Sequence, residues 1–457
     1  MADLKYKLYG KLQALYHQYL KGHGKENLDI VYVYSQDDID AFKGFKGTVN
    51  GTPYSDDVPA DKIFFKGENV VIPEEGRLAP KTPADKKPVR NVKGQTPSEK
   101  WFDSIEQAKV EKGWVNSGFY LNAYIKEDRQ WCLSNWIWVA AAVARALCLL
   151  KCGDEARDIA DAFLREQRSD GSWIVRFDCL RNFQRIAAAN DSAYISRNAL
   201  LTVYDNTKDE KYLDAAKKCA KWIMDTSDPD GLAGFGYDVD RGSWIKNTNI
   251  VDVGYSADLF AELYRVTGID EYKQYLENFI DVYINVFYDR DAHLFYTHCK
   301  GDWQNRKCAG GYFSRGHAWA MEGLIPAYQV LKDPKIFNIM EDVTDKLCDC
   351  QAKNGGWDCN FQKKRALMGQ DCKGVAAIAK SMLVWANYSH HKERIIDCAK
   401  KAYDWCVEHT DPDTGAIVSF TTNGAISHTP NRSVGILYAN AYALESEEML
   451  RNFGALK

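Results

Sequence analysis

Turn markers recur along the chain about every 60 residues from residue 169 onward. They are Ser169-Asp170-Gly171, Asp228-Pro229-Asp230-Gly231, Asp289-Arg290-Asp291, Asn354-Gly355-Gly356 and Asp411-Pro412-Asp413-Thr414-Gly415. Asp, Asn, Gly and Pro break regular structure because they accept the backbone angles of tight turns. A period of this length holds two helices and their loops, which predicts stacked helical hairpins. Within a segment one helix is apolar and rich in small residues, as in Trp136–Leu150, Ala318–Tyr328 and Gly374–Ala386. The next is charged on one face, as in Glu210–Met224, Glu271–Val286 and Glu393–Val407. A helix apolar all round is buried, and a one-sided helix faces solvent. Alternating inner and outer helices, about twelve in all, predict an all-α fold: a closed (α/α)6 toroid over residues 101–457. An open solenoid is the alternative, with repeats that are usually shorter.

The first hundred residues do not share this pattern. Leu4, Leu8, Leu12, Leu15 and Tyr19 form one stripe, which predicts a helix over residues 1–24. Short β-like runs follow at Ile30–Tyr34 and Lys62–Ile72. Residues 73–97 hold five of the twelve prolines, so they form a linker or an extended arm lying on another surface. Residues 1–100 are therefore expected to be an N-terminal appendage with short β segments.

Composition removes several function classes. There are 59 Lys and Arg against 63 Asp and Glu, a net charge of −4, so no basic excess exists to track a nucleic-acid backbone. The longest apolar stretch, Trp136–Leu150, is interrupted by Arg145 and is too short to span a membrane. The opening Met1-Ala2-Asp3-Leu4-Lys5 leads into a polar stretch, not a secretory leader, which predicts a cytoplasmic protein. The 13 cysteines include no CxxC pair, so they read as reduced thiols and no metal site is expected. The 13 Trp, 26 Tyr and 19 Phe suit either core packing or the faces of sugar rings.

Inner helices of a toroid converge, so residues at their entry points face a common cleft. Asp191, Asp252, Arg315, Asp371 and Asn431-Arg432-Ser433 occupy those points at spacings near 60. An Asp before a helix is commonly only a cap. Several charged residues in register after long loops point further, to a site. Two carboxylates in one cleft can divide into acid and base, because burial and like charge push their pKa values apart. Arg315 can grip a substrate carboxylate, and Trp319, four residues on, shares its helical face. His298 and His317 are further candidates, although a lone His is more often a packing or surface residue. Gln167-x-x-x-Gly171-x-Trp173 and Gln351-x-x-x-Gly355-x-Trp357 repeat a pattern seen in terpene cyclases. The acidic cluster those enzymes need is absent from the toroid, since Asp37-Asp38-Ile39-Asp40 lies outside it. The pattern therefore reads as packing of the repeat turn. GxSxG and GxxxxGK[ST] motifs are absent.

The segment Arg315-Gly316-His317-Ala318-Trp319-Ala320-Met321-Glu322-Gly323-Leu324 resembles the Arg-Gly-x-x-Trp stretch of the unsaturated glucuronyl hydrolases of glycoside hydrolase family 88 and the unsaturated rhamnogalacturonyl hydrolases of family 105. Asn190-Asp191 resembles the first family aspartate. Val251-Asp252, leading to Tyr264-Arg265-Val266-Thr267-Gly268, resembles the second. Tyr296-Thr297-His298 stands where the family has a substrate-contacting histidine, and Asp371 before Gly374-Val375-Ala376-Ala377 resembles a later acidic helix start. The likeness covers residues 130–445. The aromatic platform of the first inner helix is matched only loosely, by Trp136 or Trp138, and residues 1–100 have no counterpart.

The resemblance implies hydration of the C4=C5 double bond that lyases leave on a terminal uronic acid. Asp252 would protonate C4 and then act as base for water at C5, assisted by Asp191. Arg315 or His298 would neutralise the substrate carboxylate, and Trp319, Trp244 or Trp357 would stack on the ring. No cofactor is required, and the partner is a short oligosaccharide with an acidic terminal sugar. Three other readings stay open on the residues alone. They are a conventional glycosidase using Asp191 and Asp252 on a saturated uronide, an epimerase using histidines, and a non-catalytic carbohydrate-binding scaffold.

Overall fold

The computed structural model describes residues 86–111, 118–132, 137–174, 186–238, 242–246, 248–301, 303–309, 311–362, 369–421 and 432–456, with three short strands before them, Glu26–Leu28, Gly47–Val49 and Thr52–Pro53. The expected helix over 1–24, the runs at Ile30–Tyr34 and Lys62–Ile72, the cluster Asp37-Asp38-Ile39-Asp40, and Trp136 lie outside the described residues.

Helix α1 (Pro97–Ala108) begins with a capping box: the Thr96 hydroxyl accepts from the Glu99 N–H, and the Glu99 carboxylate accepts from the Thr96 N–H. The chain continues through α2 (Val139–Leu149), α3 (Gly153–Glu166) and α4 (Ala189–Ile195). A π turn (Ser196–Leu201) joins α4 to α5 (Thr202–Thr207), and α6 (Glu210–Thr226) follows. Next come α7 (Tyr255–Thr267), α8 (Asp270–Phe287), α9 (Ser314–Leu331), α10 (Pro334–Cys350), α11 (Cys372–Trp385), α12 (Lys392–Glu408) and α13 (Leu437–Asn452). Helices α2, α4–α5, α7, α9, α11 and α13 touch in that order, and α13 returns to α2, closing an inner ring. Helices α3, α6, α8, α10 and α12 back them from outside, and α1 backs α13. The molecule is an (α/α)6 toroid, as the period predicts. The difference in composition has its expected cause: every residue of α11 except Val384 is buried, whereas α12 buries one stripe, from Ile395 to Cys406.

The Gln-to-Trp pattern is a packing device. Gln167 Nε2 donates to the carbonyls of Gly171 (3.0 Å) and Ala215 (2.8 Å), and Trp173 Nε1 donates to Phe163 O (2.8 Å). Gln351 repeats this with Gly355 (2.9 Å) and Cys398 (2.8 Å), and Trp357 Nε1 reaches Leu347 O (2.8 Å). In each repeat the glutamine ties its own turn to the next outer helix. Gly171 and Gly355 carry positive φ there, and a Cβ at either would strike the backbone of that helix.

Loops at one mouth of the ring carry short sheets. The largest runs Val418–Thr421, Arg432–Ile436, Ala123–Ile125, Gln130–Cys132, Lys86–Pro88, all antiparallel. The end of the proline-rich segment is thus an edge strand, where proline is tolerated. The last inner helix starts at Leu437, not at the expected Asn431-Arg432-Ser433. Strand pairing on both sides of Arg432–Ile436 prevails over the helix expected there.

Deep in the ring, ion pairs among the described residues join neighbouring inner helices. Arg145 of α2 meets Glu445 of α13 at 2.6 Å, Arg197 of the π turn meets Asp258 of α7 at 3.1 Å, and Lys380 of α11 meets Glu322 of α9 at 2.6 Å. Alternate seams are stitched, including the one that closes the circle. Arg145 also reaches Asn198 at 2.8 Å. The π turn's extra residue per turn lets adjacent Arg197 and Asn198 both make these contacts.

Candidate active site

Asp252 lies in a 3-10 turn, Val251–Gly254, between the strand Thr248–Ile250 and α7. That strand pairs with His298–Lys300, placing Ile250 opposite His298. The Val251 N–H donates to Thr297 O at 3.0 Å, and the Tyr283 hydroxyl of α8 donates to Val251 O at 2.7 Å. Arg306, buried in the same hairpin sheet, donates to Asn249 Oδ1 (3.1 Å) and to both Asp228 and Asp230. The turn bearing Asp252 is therefore held from three sides.

Two glycines bring α9 against this turn. A Cβ on Gly323 would collide with the Gly254 carbonyl, and one on Gly316 would come within 2.9 Å of Val251 Cγ1. Their absence of side chains lets Arg315 approach Asp252, and the charge of Arg315 acts on Asp252. This gives a physical reason for glycine in the Arg-Gly-x-x-Trp stretch.

Asp191 lies in the first turn of α4. The side-chain amide of its neighbour Asn190 donates to Asp191 Oδ1 at 3.0 Å and to Asp252 Oδ2 at 2.7 Å, so one nitrogen bridges the two carboxylates. Burial pushes the Asp252 carboxyl up to about 7, against the opposing pull of Arg315 and of the Asn190 bond. Near neutral pH it therefore exists in both protonated and ionised forms.

The Arg315 guanidinium lies 4.6 Å from the centre of the Trp319 ring and 5.2 Å from that of Phe313, and its Nη1 donates to the Tyr438 hydroxyl at 3.3 Å. Asp371 caps α11 through the Lys373 N–H (3.1 Å) and pairs with the buried Lys373 amine at 3.4 Å. Burial and the charge of Arg315 lower the affinity of that amine for its proton. An aromatic chain forms the floor: Tyr438 against Trp138 (5.0 Å), Trp138 against Tyr194 (5.1 Å), and Tyr194 against Tyr255 (4.6 Å).

The structure thus gathers Asp191, Asp252, Arg315, Trp319 and Asp371 at one end of the inner ring, with His298, half-buried, on the strand beside Ile250. It sends the other candidates elsewhere. His317 is fully buried: Nε2 accepts from the Phe295 N–H at 3.0 Å, and Nδ1 faces the carbonyls of Phe313 and Ser314. Burial pushes it down to about 4, so it is a neutral core residue. Trp357 is likewise fully buried in its repeat turn. Trp244 packs against Trp222 and Tyr237 and donates to Thr226 O at 2.7 Å. Three residues carry no role in the sequence reading, the bridging Asn190, Lys373 and Tyr438, and Trp138 enters it only as a loose match to the aromatic platform. One register rule finds Trp138, Lys373 and Tyr438. Trp138, Arg315, Lys373 and Tyr438 each precede by seven residues a buried charge of the ring below, namely Arg145, Glu322, Lys380 and Glu445. Seven residues are two helical turns, which return to the same face. Among the described residues no three metal-ligating side chains cluster.

Solved structures share this architecture. An unsaturated glucuronyl hydrolase specific for heparin superposes with a TM-score of 0.63 at 13% identity, over 79% of this chain and 97% of its own. The unsaturated glucuronyl hydrolase of Bacillus sp. GL1 gives 0.61 at 14% identity, over 78% and 94%. A candidate family 105 protein of Salmonella enterica serovar Paratyphi A gives 0.56 at 15% identity, over 79% and 95%. At these identities the likeness establishes the fold. No curated protein matches in sequence. The sequence model of glycosyl hydrolase family 88 matches residues 196–455, which include Asp252, Arg315 and Asp371, and the chain therefore belongs to that family of glycoside hydrolases.

Proposed function

We propose that the protein removes a terminal 4,5-unsaturated uronic acid from short oligosaccharides by hydrating its C4=C5 enol ether. The observation that carries this reading is the state of Asp252: a carboxyl pushed up to about 7 and bridged through Asn190 to Asp191. A group that titrates near the working pH can both give and take a proton within one cycle. Protonated Asp252 delivers its proton to C4, and positive charge develops at C5 and the ring oxygen. The resulting carboxylate, with Asp191 nearby through the shared amide, favours that charge. Asp252 then takes a proton from a water that adds to C5. The hemiketal opens to a C5 ketone, and the hemiacetal left at C1 expels the aglycone as an alcohol. The acid is regenerated, with one water consumed.

Arg315 supplies positive charge for the substrate carboxylate, and Trp319 and Phe313 hold the guanidinium plane. His298 borders the same mouth, and Asp371 sets Lys373 at the start of α11. The similar structures that are unsaturated glucuronyl hydrolases support the reading.

A conventional glycosidase is the second reading, and the Asn190 bridge favours one form of it. The 3.0 and 2.7 Å bonds to one nitrogen hold the nearest oxygens of the two carboxylates less than about 6 Å apart, which falls short of the about 6.5–9.5 Å of inversion and suits the about 5–5.5 Å of retention. The test is ultraviolet absorbance of the enol acid in a panel of lyase-generated disaccharides. Loss of the band supports hydration. An untouched band with cleavage of a saturated uronide establishes the second reading.

A further inference from the structure

On the inner helices below the candidate site several buried polar atoms lack a hydrogen-bond partner among the described residues, including the hydroxyls of Ser196, Ser256 and Ser381 and Glu445 Oε1. Two others belong to α7, which follows the Asp252 turn, and to α9, which carries Arg315. The Tyr255 hydroxyl is buried and has no hydrogen-bond partner among the described residues, and the same holds for Glu322 Oε2. The neighbouring groups are engaged. Tyr194 and Tyr442 bond each other, Tyr438 accepts from Arg315, and Glu322 Oε1 accepts from Lys380 at 2.6 Å. Tyr255 follows Asp252 by three residues, a spacing that places the two on one face of the helix entry. Its ring stands edge-on to Tyr194, 4.6 Å between centres, in the floor beneath the carboxylates. Glu322 and Asp252 both act on its hydroxyl electrostatically: Tyr255 opens α7 directly after the turn that carries Asp252, and α7 packs against α9, which carries Glu322.

A buried hydroxyl and a buried carboxylate oxygen without partners are costly, because each has given up its hydrogen bonds to water. Polar, partner-poor sites of this kind hold ordered water. We propose that Tyr255 is a further catalytic residue, whose hydroxyl and Glu322 Oε2 hold a water beneath Asp252, in place for the step in which Asp252 activates water. The catalytic part rests on the hydration reading. The water site itself does not. When a sugar fills the mouth of the ring and excludes bulk solvent, a molecule stored on the floor is the one in reach. Tyr255 donates to the water, and the phenol keeps its proton because burial and the charge of Glu322 disfavour its anion.

The test has two arms. A crystal structure of the full chain should show a water within hydrogen-bond distance of both Tyr255 Oη and Glu322 Oε2. An empty site, or a Tyr255 hydroxyl bonded directly to protein, overturns the proposal. Tyr255→Phe removes only the hydroxyl. It should lower kcat on an unsaturated disaccharide by on the order of 10- to 100-fold, because a misplaced reactant costs about that much. KM should stay within about twofold and Tm should not fall. A kcat within about twofold of the parent overturns the catalytic role, even with the water present. If the parent protein hydrates no unsaturated uronide, the hydration reading fails by itself, and the crystallographic arm alone decides the water site.

Discussion

Asn190 donates its side-chain amide to Asp252 at 2.7 Å while the same nitrogen holds Asp191 at 3.0 Å, so the proton affinity of one carboxyl is tied to the position of the other. The bond to Asn190 favours the ionised form of Asp252 and works against burial. Asn190→Ala should therefore raise the Asp252 pKa further. The alkaline limb of the kcat/KM profile should move to higher pH, and kcat should fall by roughly 10- to 100-fold as the pair loses its alignment. A pH–rate series on the variant checks this. An unmoved limb would remove Asn190 from that role.

Asp252 also links stability to pH. Its ordinary value is 3.8 and its folded value about 7. Between these limits the folded chain binds the extra proton, so stability falls as pH rises from about 4 to about 7 and stays lower above. Asp252→Asn removes the ionisation. The variant should lose turnover almost entirely, yet at pH 8 it should be more stable than the parent by on the order of 1 kcal/mol, since solvent at the pocket mouth screens part of the effect. Thermal melts at pH 5 and pH 8 check both the sign and the window.

The approach of α9 to the Asp252 turn depends on missing side chains. Gly323→Ala would push against the Gly254 carbonyl. Overpacking of this kind costs about 1–3 kcal/mol. The expected outcome is a lower Tm together with weaker turnover, because Arg315 moves with α9. Ala320→Gly on the same helix serves as a control: it lowers Tm through helix propensity without pushing α9 away from Asp252.

The buried pair Lys380–Glu322 should behave asymmetrically. Lys380→Met leaves a carboxylate buried without its partner and should cost about 3–5 kcal/mol, whereas the double variant Lys380→Met with Glu322→Leu should recover most of that loss. Chemical denaturation of the parent, the single variant and the double variant checks this asymmetry.

The toroid is readable from sequence because one physical rule repeats. A turn every 60 residues and alternating helix polarity determine the number of layers, and the outer helices start within a residue or two of their expected positions, as at Glu210 and Asp270. The site is readable where a charged residue opens an apolar helix, as Asp191, Asp252, Arg315 and Asp371 do. It is not readable where tertiary structure decides. Tyr438 was hidden because strand pairing over Arg432–Ile436 displaces the last helix entry. His317 and Trp357 looked functional by motif position, yet the face of the helix and the fold of the repeat turn commit their polar atoms to backbone. The bridge by Asn190 needed the distance between two repeats, which spacing alone does not supply.

Delivery of a proton from Asp252 to C4 of an unsaturated uronide would leave an isotopic record, which turnover in deuterium oxide followed by NMR of the released sugar reads. Deuterium should enter C4 on one face only, as fast as the enol-acid absorbance disappears, and should not enter with Asp252→Asn. Release of the aglycone with the double bond still intact, or an equal mixture of both C4 faces, would contradict that delivery.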